Sequence, residues 1–287
     1  MKPSSTLYVT DLDGTLLGAD SRVSARSRDI LNQLAERGVM ITPATARTPA
    51  TVQLLMEGVT QPTYIDAEGK VCALPSIVMT GGALWNRKTV QFETCRLIPQ
   101  DDVVHILQAF ERAAIKPFVY CMNGNKYLDV YHPSAMTSRE NAFYQERSNL
   151  QLKRFHLDCT PPQCDNVALF FAIGPVKIVE AVVAELKNAT NCAAAWYPDT
   201  TLADTGLIDL YAPGVSKAHA VKELAQKVQA ERVVVFGDNL NDLPMMRVAD
   251  VAVATENALP QVKAEADVVI GLNSDDAVAE YILRCES

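Results

Sequence analysis

Leu7-Tyr8-Val9-Thr10-Asp11-Leu12-Asp13-Gly14-Thr15-Leu16-Leu17 is the stretch on which the reading of this chain turns. An apolar, β-branched run ends in two acids two residues apart. Side chains alternate along a strand, so Asp11 and Asp13 at its end can face one pocket. Paired carboxylates in that position bind a hard cation through oxygen and supply two separable acid/base roles. Gly14 lets the chain turn sharply away. Alone, the two acids read more readily as a solvated acidic turn.

The next segments give it a fold. Ser24 caps a helix whose apolar positions Ile30, Leu31 and Leu34 share one face, and Gly38 closes it. Val39-Met40-Ile41-Thr42 forms a second strand, 49–57 a short helix, and Ile77-Val78-Met79-Thr80 a third strand that stops at Gly81-Gly82. Strands apolar on both faces and alternating with helices predict an α/β fold, with a Rossmann-like parallel sheet covered by helices on both faces. After residue 83 the rhythm changes. Phe118 to Cys121 and Lys126 to Tyr131 read as a hairpin. Further runs at 166–173, 193–197 and 207–211, with a helix over 175–188, predict an α+β module on an antiparallel sheet. The α/β rhythm returns near Pro213, where Ser216 caps a helix to about Val228 and Val233 to Phe236 forms a buried strand. The expected organisation is a discontinuous core, 1–83 with 213–287, and an inserted domain, 84–212. The segment 58–75 has no assigned role.

Composition narrows the function. The chain has 287 residues, 48% of them apolar and 21% charged, values of a globular protein with room for about two domains. Its formal charge of −8 and the lack of any Lys/Arg run argue against nucleic acid as a partner. No apolar stretch reaches the ~18 residues of a membrane helix. The N-terminal stretch has no apolar block before its first acid, so no secretory leader is expected. Seven cysteines, an odd number spread through the chain, favour reduced thiols and a cytoplasmic location. Cys159 and Cys164 flank Thr-Pro-Pro-Gln, a spacing unlike a zinc knuckle. Nucleotide-binding glycine motifs are absent, so a kinase, polymerase or dehydrogenase is not expected.

A second acidic cluster, Gly237-Asp238-Asn239-Leu240-Asn241-Asp242, follows another strand. In a parallel sheet both strand ends lie on the edge where open α/β sheets bind ligands. Two acidic clusters on one edge repel unless a cation lies between them. Thr45, in Thr42-Pro43-Ala44-Thr45-Ala46-Arg47, is either a helix cap or a hydroxyl for a phosphoryl oxygen, and Arg47 can clamp an anion. Lys217 opens a helix, where a cation opposes the dipole and lacks the usual structural motive.

In order and spacing these four pieces resemble the haloacid dehalogenase (HAD) superfamily. Asp11 to Leu17 matches its first motif, Thr45 its second, Lys217 its third, and Gly237 to Asp242 its fourth. The insertion between the second and third motifs resembles the Cof-like branch with a large α/β cap (type IIB), as does the segment Asp242 to Ile270. Ala46 stands where that branch usually has glycine. The resemblance implies a phosphatase acting on small phosphorylated metabolites, sugar phosphates first among them. Asp11 is then the nucleophile that forms an aspartyl-phosphate, and Asp13 the general acid and base. Mg²⁺ is held by Asp11, the Asp13 backbone carbonyl and Asp238, supported from outside by Asp242. Thr45, Lys217 and Asn241 contact the phosphoryl group, Arg47 contacts substrate, and the cap selects. A phosphosugar mutase and a non-catalytic regulatory binding protein on the same scaffold are the alternatives. No protein partner is inferable.

Overall fold

The computed structural model describes residues 5–159, 165–199 and 201–287. β1 (Thr6–Thr10) runs into a wide turn over Leu12–Leu16, in which Gly14 is left-handed at φ 76°. α1 (Ala25–Glu36) starts where the Ser24 hydroxyl accepts the Ser27 N–H, and Gly38 follows its end at φ 82°. Ile30, Leu31 and Leu34 are buried on one face, as the spacing requires. β2 (Met40–Pro43) and α2 (Pro49–Leu55) follow. β3 (Thr63–Ile65) pairs antiparallel with β4 (Val71–Ala73), so the segment of unassigned role holds a small hairpin.

β5 (Ser76–Val78), β6 (Ala83–Asn86) and β7 (Gln91–Cys95) form a separate three-stranded sheet. This corrects the expectation that 77–80 adds a strand to the parallel sheet. β5 packs beside β2, but its one backbone bridge to that stretch of chain among the described residues is the parallel pair Ala44 and Ile77, so it adds no strand to the sheet. It ends at Val78 because Met79 and Thr80 turn left-handed, at φ 55° and 58°. No extended strand accommodates that backbone.

The middle of the chain contains α3 (Gln100–Arg112), β8 (Phe118–Asn123), β9 (Tyr127–His132), α4 (Ser138–Arg147), β10 (Lys153–Leu157), β11 (Val167–Pro175), α5 (Val176–Ala189), β12 (Cys192–Pro198) and β13 (Thr205–Pro213). Its six strands are ordered β10-β9-β8-β11-β13-β12. The expected hairpin is present as β8 and β9. The sheet is mixed rather than purely antiparallel, because β10 runs parallel to β9. The βαβ crossover that permits this is α4, whose N-terminus is a capping box between Thr137 and Glu140. Phe110 of α3 packs against Phe170 on one sheet face. Phe143 of α4 packs between Phe118 and Phe171 on the other, with centroids 4.9 and 4.4 Å away.

The chain then forms α6 (Lys217–Lys227), β14 (Arg232–Gly237), α7 (Leu243–Met246), β15 (Val251–Ala254), α8 (Pro260–Glu265), β16 (Val268–Val269) and α9 (Ala277–Cys285). The parallel sheet has five strands, ordered β16-β15-β14-β1-β2. β1 lies between β14 and β2, with Thr10 aligned to Phe236 on one side and Pro43 on the other. Leu7, Val9, Val235 and Phe236 are fully buried. Each such side chain contributes about 1.5–3 kcal/mol by leaving water.

Two compact units result. One comprises the residues through Thr94 with Ser216–Ser287; the other is Cys95–Val215. Residues 84–94, placed with the insertion in the expected organisation, fall in the first unit and carry the rest of β6 and all of β7 but Cys95. No helix among the described residues is long and apolar enough to cross a membrane. The described cysteines, Cys159 among them, are free thiols; Cys164 lies outside the described residues.

Candidate active site

The parallel register puts the ends of β1, β2 and β14 side by side. Asp11 follows β1, its N–H donating to the Phe236 carbonyl at the end of β14 (3.0 Å). Asp238 follows β14, and the Thr45 loop follows β2. Asp11, Asp238 and Asp242 offer carboxylate oxygens that all lie within 4.8 Å of one another.

Lys217 enters this group as the first residue of α6. It is 1% exposed, and its Nζ donates to Asp11 Oδ1 at 2.5 Å and Asp242 Oδ1 at 2.7 Å. Burial pulls the Lys217 ammonium down, but the two carboxylates more than offset it, and its pKa is raised. Ser216 caps α6 by accepting the His219 N–H, so a cation can occupy this helix start without leaving the terminus unsatisfied.

Asp242 is fully buried. Its Oδ1 takes Lys217, and its Oδ2 accepts the backbone N–H groups of Asp238 and Asn239, both at 3.1 Å. These contacts use its oxygens for scaffolding. Asp238 receives the Thr15 hydroxyl on Oδ1 (3.0 Å). Its Oδ2 lies only 2.3 Å from where a Cβ on Gly14 would stand, so Gly14 is required there for space as well as for its positive φ. Asp13 points outward to Arg47, whose Nε and Nη2 grip its carboxylate at 2.7 and 2.6 Å. Arg47 therefore faces an acid of the first motif. That hydrogen bond raises its pKa above the usual value.

Burial raises the Asp11 pKa to about 7, with Lys217 opposing and the Asp242 charge adding to the rise. Burial and Asp242 likewise raise Asp238 to about 6. The physical cause is a charge imbalance. Three carboxylates crowd one ammonium, leaving two negative charges unmatched. Hard oxygen donors with a deficit of two positive charges fit a divalent cation. Asp238 keeps an oxygen that no described hydrogen bond uses, and the second oxygen of Asp11 has no described side-chain partner.

Thr45 is 1% exposed and does not cap α2, whose N-cap is Thr48. Its hydroxyl accepts the Arg47 N–H (3.2 Å), leaving its own proton free to donate. Asn241 is exposed on the turn before α7 and is not drawn into the carboxylate group.

The sequence reading missed the support from residues 79–82. The Met79 N–H donates to the Arg47 carbonyl and the Thr80 N–H to the Thr45 carbonyl, both at 3.0 Å. Gly81, at φ 92°, lies so close to Ser216 that a Cβ would stand 2.3 Å from its carbonyl oxygen. This left-handed turn ties the Thr45 loop to the start of the Lys217 helix. The only signal was Gly81-Gly82 itself, which reads locally as a strand end.

The family model for haloacid dehalogenase-like hydrolases matches residues 8–282, and the chain belongs to that family. It is 26% identical over 299 residues to a 5-amino-6-(5-phospho-D-ribitylamino)uracil phosphatase of Bacillus subtilis (strain 168), covering 95% of each chain. It is 25% identical over 292 residues to a pyridoxal phosphate phosphatase of Escherichia coli (strain K12), covering 97% of this chain and 98% of the relative. Among solved structures it shares the fold of a HAD subclass IIB sugar phosphatase, with a TM-score of 0.72, 18% identity, and coverage of 98% of this chain and 99% of that one.

Proposed function

We propose that this protein is a Mg²⁺-dependent phosphatase that hydrolyses small phosphorylated metabolites, sugar phosphates first among them, through an aspartyl-phosphate. The observation that carries the reading is the Asp11–Lys217–Asp242 bridge at the end of β1. It holds one carboxylate buried, oriented and next to a fixed cation. A nucleophilic carboxylate requires that arrangement, and so does the charge of a transferring phosphoryl group.

Asp11 attacks phosphorus, and the ester oxygen leaves with a proton from Asp13. Asp13 then takes a proton from the water that hydrolyses the aspartyl-phosphate. Arg47 holds Asp13 ionised in the absence of substrate; a phosphate dianion competes for the same guanidinium, and the released Asp13 takes a proton from solvent, the one it then delivers to the leaving oxygen. Thr45 donates its unused hydroxyl proton to a phosphoryl oxygen, and Asn241 closes over it when substrate is bound. Asp11, Asp238 and the Asp13 carbonyl would hold Mg²⁺, which when bound would neutralise charge on the transferring group. Asp242 fixes Lys217 and the Asp238 loop from behind. The inserted unit selects the substrate and the first unit performs the chemistry.

The test is a phosphate-release screen over a broad panel of phosphorylated metabolites with Mg²⁺, using Asp11→Asn as the blank. Release from several small esters that disappears in the blank supports the reading. Release that persists in Asp11→Asn overturns it.

A further inference from the structure

The inserted unit buries a lysine without an acid to match it. Lys153 opens β10 and is 6% exposed. β10 aligns Lys153 with Leu128 of β9, and Leu128 lies opposite Met122 of β8, two residues from Tyr120. Lys153 and Tyr120 therefore share the sheet face on which α4 packs. The Lys153 Nζ stands 5.3 Å from the Tyr120 ring centroid. Arg147, in the last turn of α4, is the charged group that acts on it, and that charge is of the same sign.

Among the described residues no carboxylate pairs with Lys153 and no acceptor takes its protons. The residues outside the described set, 1–4, 160–164 and 200, include no Asp or Glu. Asp209 lies on the same face, but its carboxylate accepts from the Tyr197 hydroxyl (3.0 Å). Arg147 lies over the Phe143 ring (4.1 Å) and donates to Glu146 (2.5 Å) and the Phe143 carbonyl (3.3 Å); Glu146 is 61% exposed, so that ion pair is weak, and the stacked guanidinium keeps donors for a further acceptor. An unmatched buried ammonium within the field of a guanidinium is costly unless it loses its proton or gains an anion. Burial and Arg147 pull the Lys153 pKa down to about 7, and an anion would reverse that shift.

We propose that Lys153 and Arg147, backed by the Tyr120 ring, form a binding site for a small oxyanion, a carboxylate or phosphate group. The guanidinium offers a planar fork of donors, the ammonium a point charge with three protons, and the ring steadies the ammonium when the site is empty. The anion has two possible sources: a second acidic group on the substrate, or a free inorganic or organic anion acting on the inserted unit. The first source rests on the phosphatase reading above; the site itself does not.

Two measurements on the full-length protein test this. The first is acetylation of Lys153 at pH 7, read by peptide mass spectrometry against rising inorganic phosphate or malonate, with chloride as the ionic-strength control. An anion that shields and protonates the amine should slow its labelling by about ten- to a hundredfold, the scale of a charge-assisted hydrogen bond. Exposed lysines should label unchanged, and Arg147→Gln should lose the protection. Labelling of the parent protein that ignores both anions overturns the proposal, whatever the variants do. Protection in a protein that hydrolyses no phosphate ester upholds the site and removes the phosphatase reading.

The second measurement assigns the source. Esters with and without a second acidic group are compared in Lys153→Met and Lys153→Arg. A substrate-borne anion raises KM in the Met variant about ten- to a hundredfold for the first class only, with partial rescue by Arg. A free anion changes the rates of both classes alike in the parent, and Lys153→Met abolishes that response. A purely packing lysine gives neither pattern and no protection, which overturns the proposal.

Discussion

Two lysines are buried among the described residues, one in each unit, and their surroundings are opposite. Lys217 touches two carboxylates, and its pKa rises. Lys153 has an aromatic ring and a neighbouring cation, and its pKa falls to about 7. Both are almost inaccessible to water, at 1% and 6% exposure. Burial therefore sets the cost of the charge in each case, and the partners decide whether the ammonium survives. At Lys217 negative charge is in excess and the deficit is a cation. At Lys153 positive charge is in excess and the deficit is an anion.

The comparison breaks first at the carboxylates. Asp11→Asn should lower turnover by at least about 10⁴-fold, because an amide cannot attack phosphorus. Its melting temperature should stay at or above the parental value, since it removes one charge from an over-acidic cluster. Near-parental phosphate release would remove the nucleophile assignment. Chelation tests the same excess from outside. Activity should vanish with chelator and return with Mg²⁺ better than with Ca²⁺, whose longer and more numerous bonds misplace Asp11. Full activity in excess chelator refutes the cation.

Next in size is Lys217→Ala. It should depress kcat/KM about 10²–10³-fold on every ester, as expected for one lost preorganised contact to a charge common to all transition states. It also leaves two buried carboxylates facing each other, at a cost of about 3–5 kcal/mol in denaturant unfolding. A loss confined to one ester would move Lys217 from chemistry to selection.

The smallest effect sharpens the other side. The Lys153 pKa of about 7 in the fold lies below the ~10.4 of an unfolded lysine. Between these values the unfolded chain binds more protons, so stability rises with pH. In buffer free of phosphate and carboxylate, Lys153→Met should therefore be more stable than the parent near pH 7, by on the order of a few kcal/mol. The gap should narrow toward pH 10. Urea unfolding at several pH values measures it, and a pH-independent gap contradicts the assigned shift.

These two lysines also show what could be read beforehand. Lys217 stood out in the sequence because a cation at a helix start opposes the dipole, and its motif context supplied the partners. The strand-end acids, the Ser24 and Ser216 caps and the β8–β9 hairpin followed from local patterning in the same way. Lys153 gave no such signal. In Gln151-Leu152-Lys153-Arg154-Phe155 it looks like a solvated strand position, and its burial depends on Tyr120 and α4, both brought to it by the sheet. The same holds for β5. Its residues look like those of the parallel strands, but the left-handed Met79-Thr80-Gly81 turn and the β6 pairing divert it. The Arg47–Asp13 pair was invisible because the two residues come from different strand ends, and neither stretch specifies the other.

Gly81 has a mechanical consequence. The chain returns from the inserted unit at Ser216, where it meets Gly81 at a contact with no room for a Cβ and then caps α6. The residue that fixes Lys217 is thus pinned from two directions at the point where the connection arrives. Two residues earlier, Gly214 is left-handed at φ 75° with open space around its Cβ position. The ammonium that faces Asp11 is thus seated from behind by two contacts of its own unit, the Gly81–Ser216 approach and the Ser216 cap.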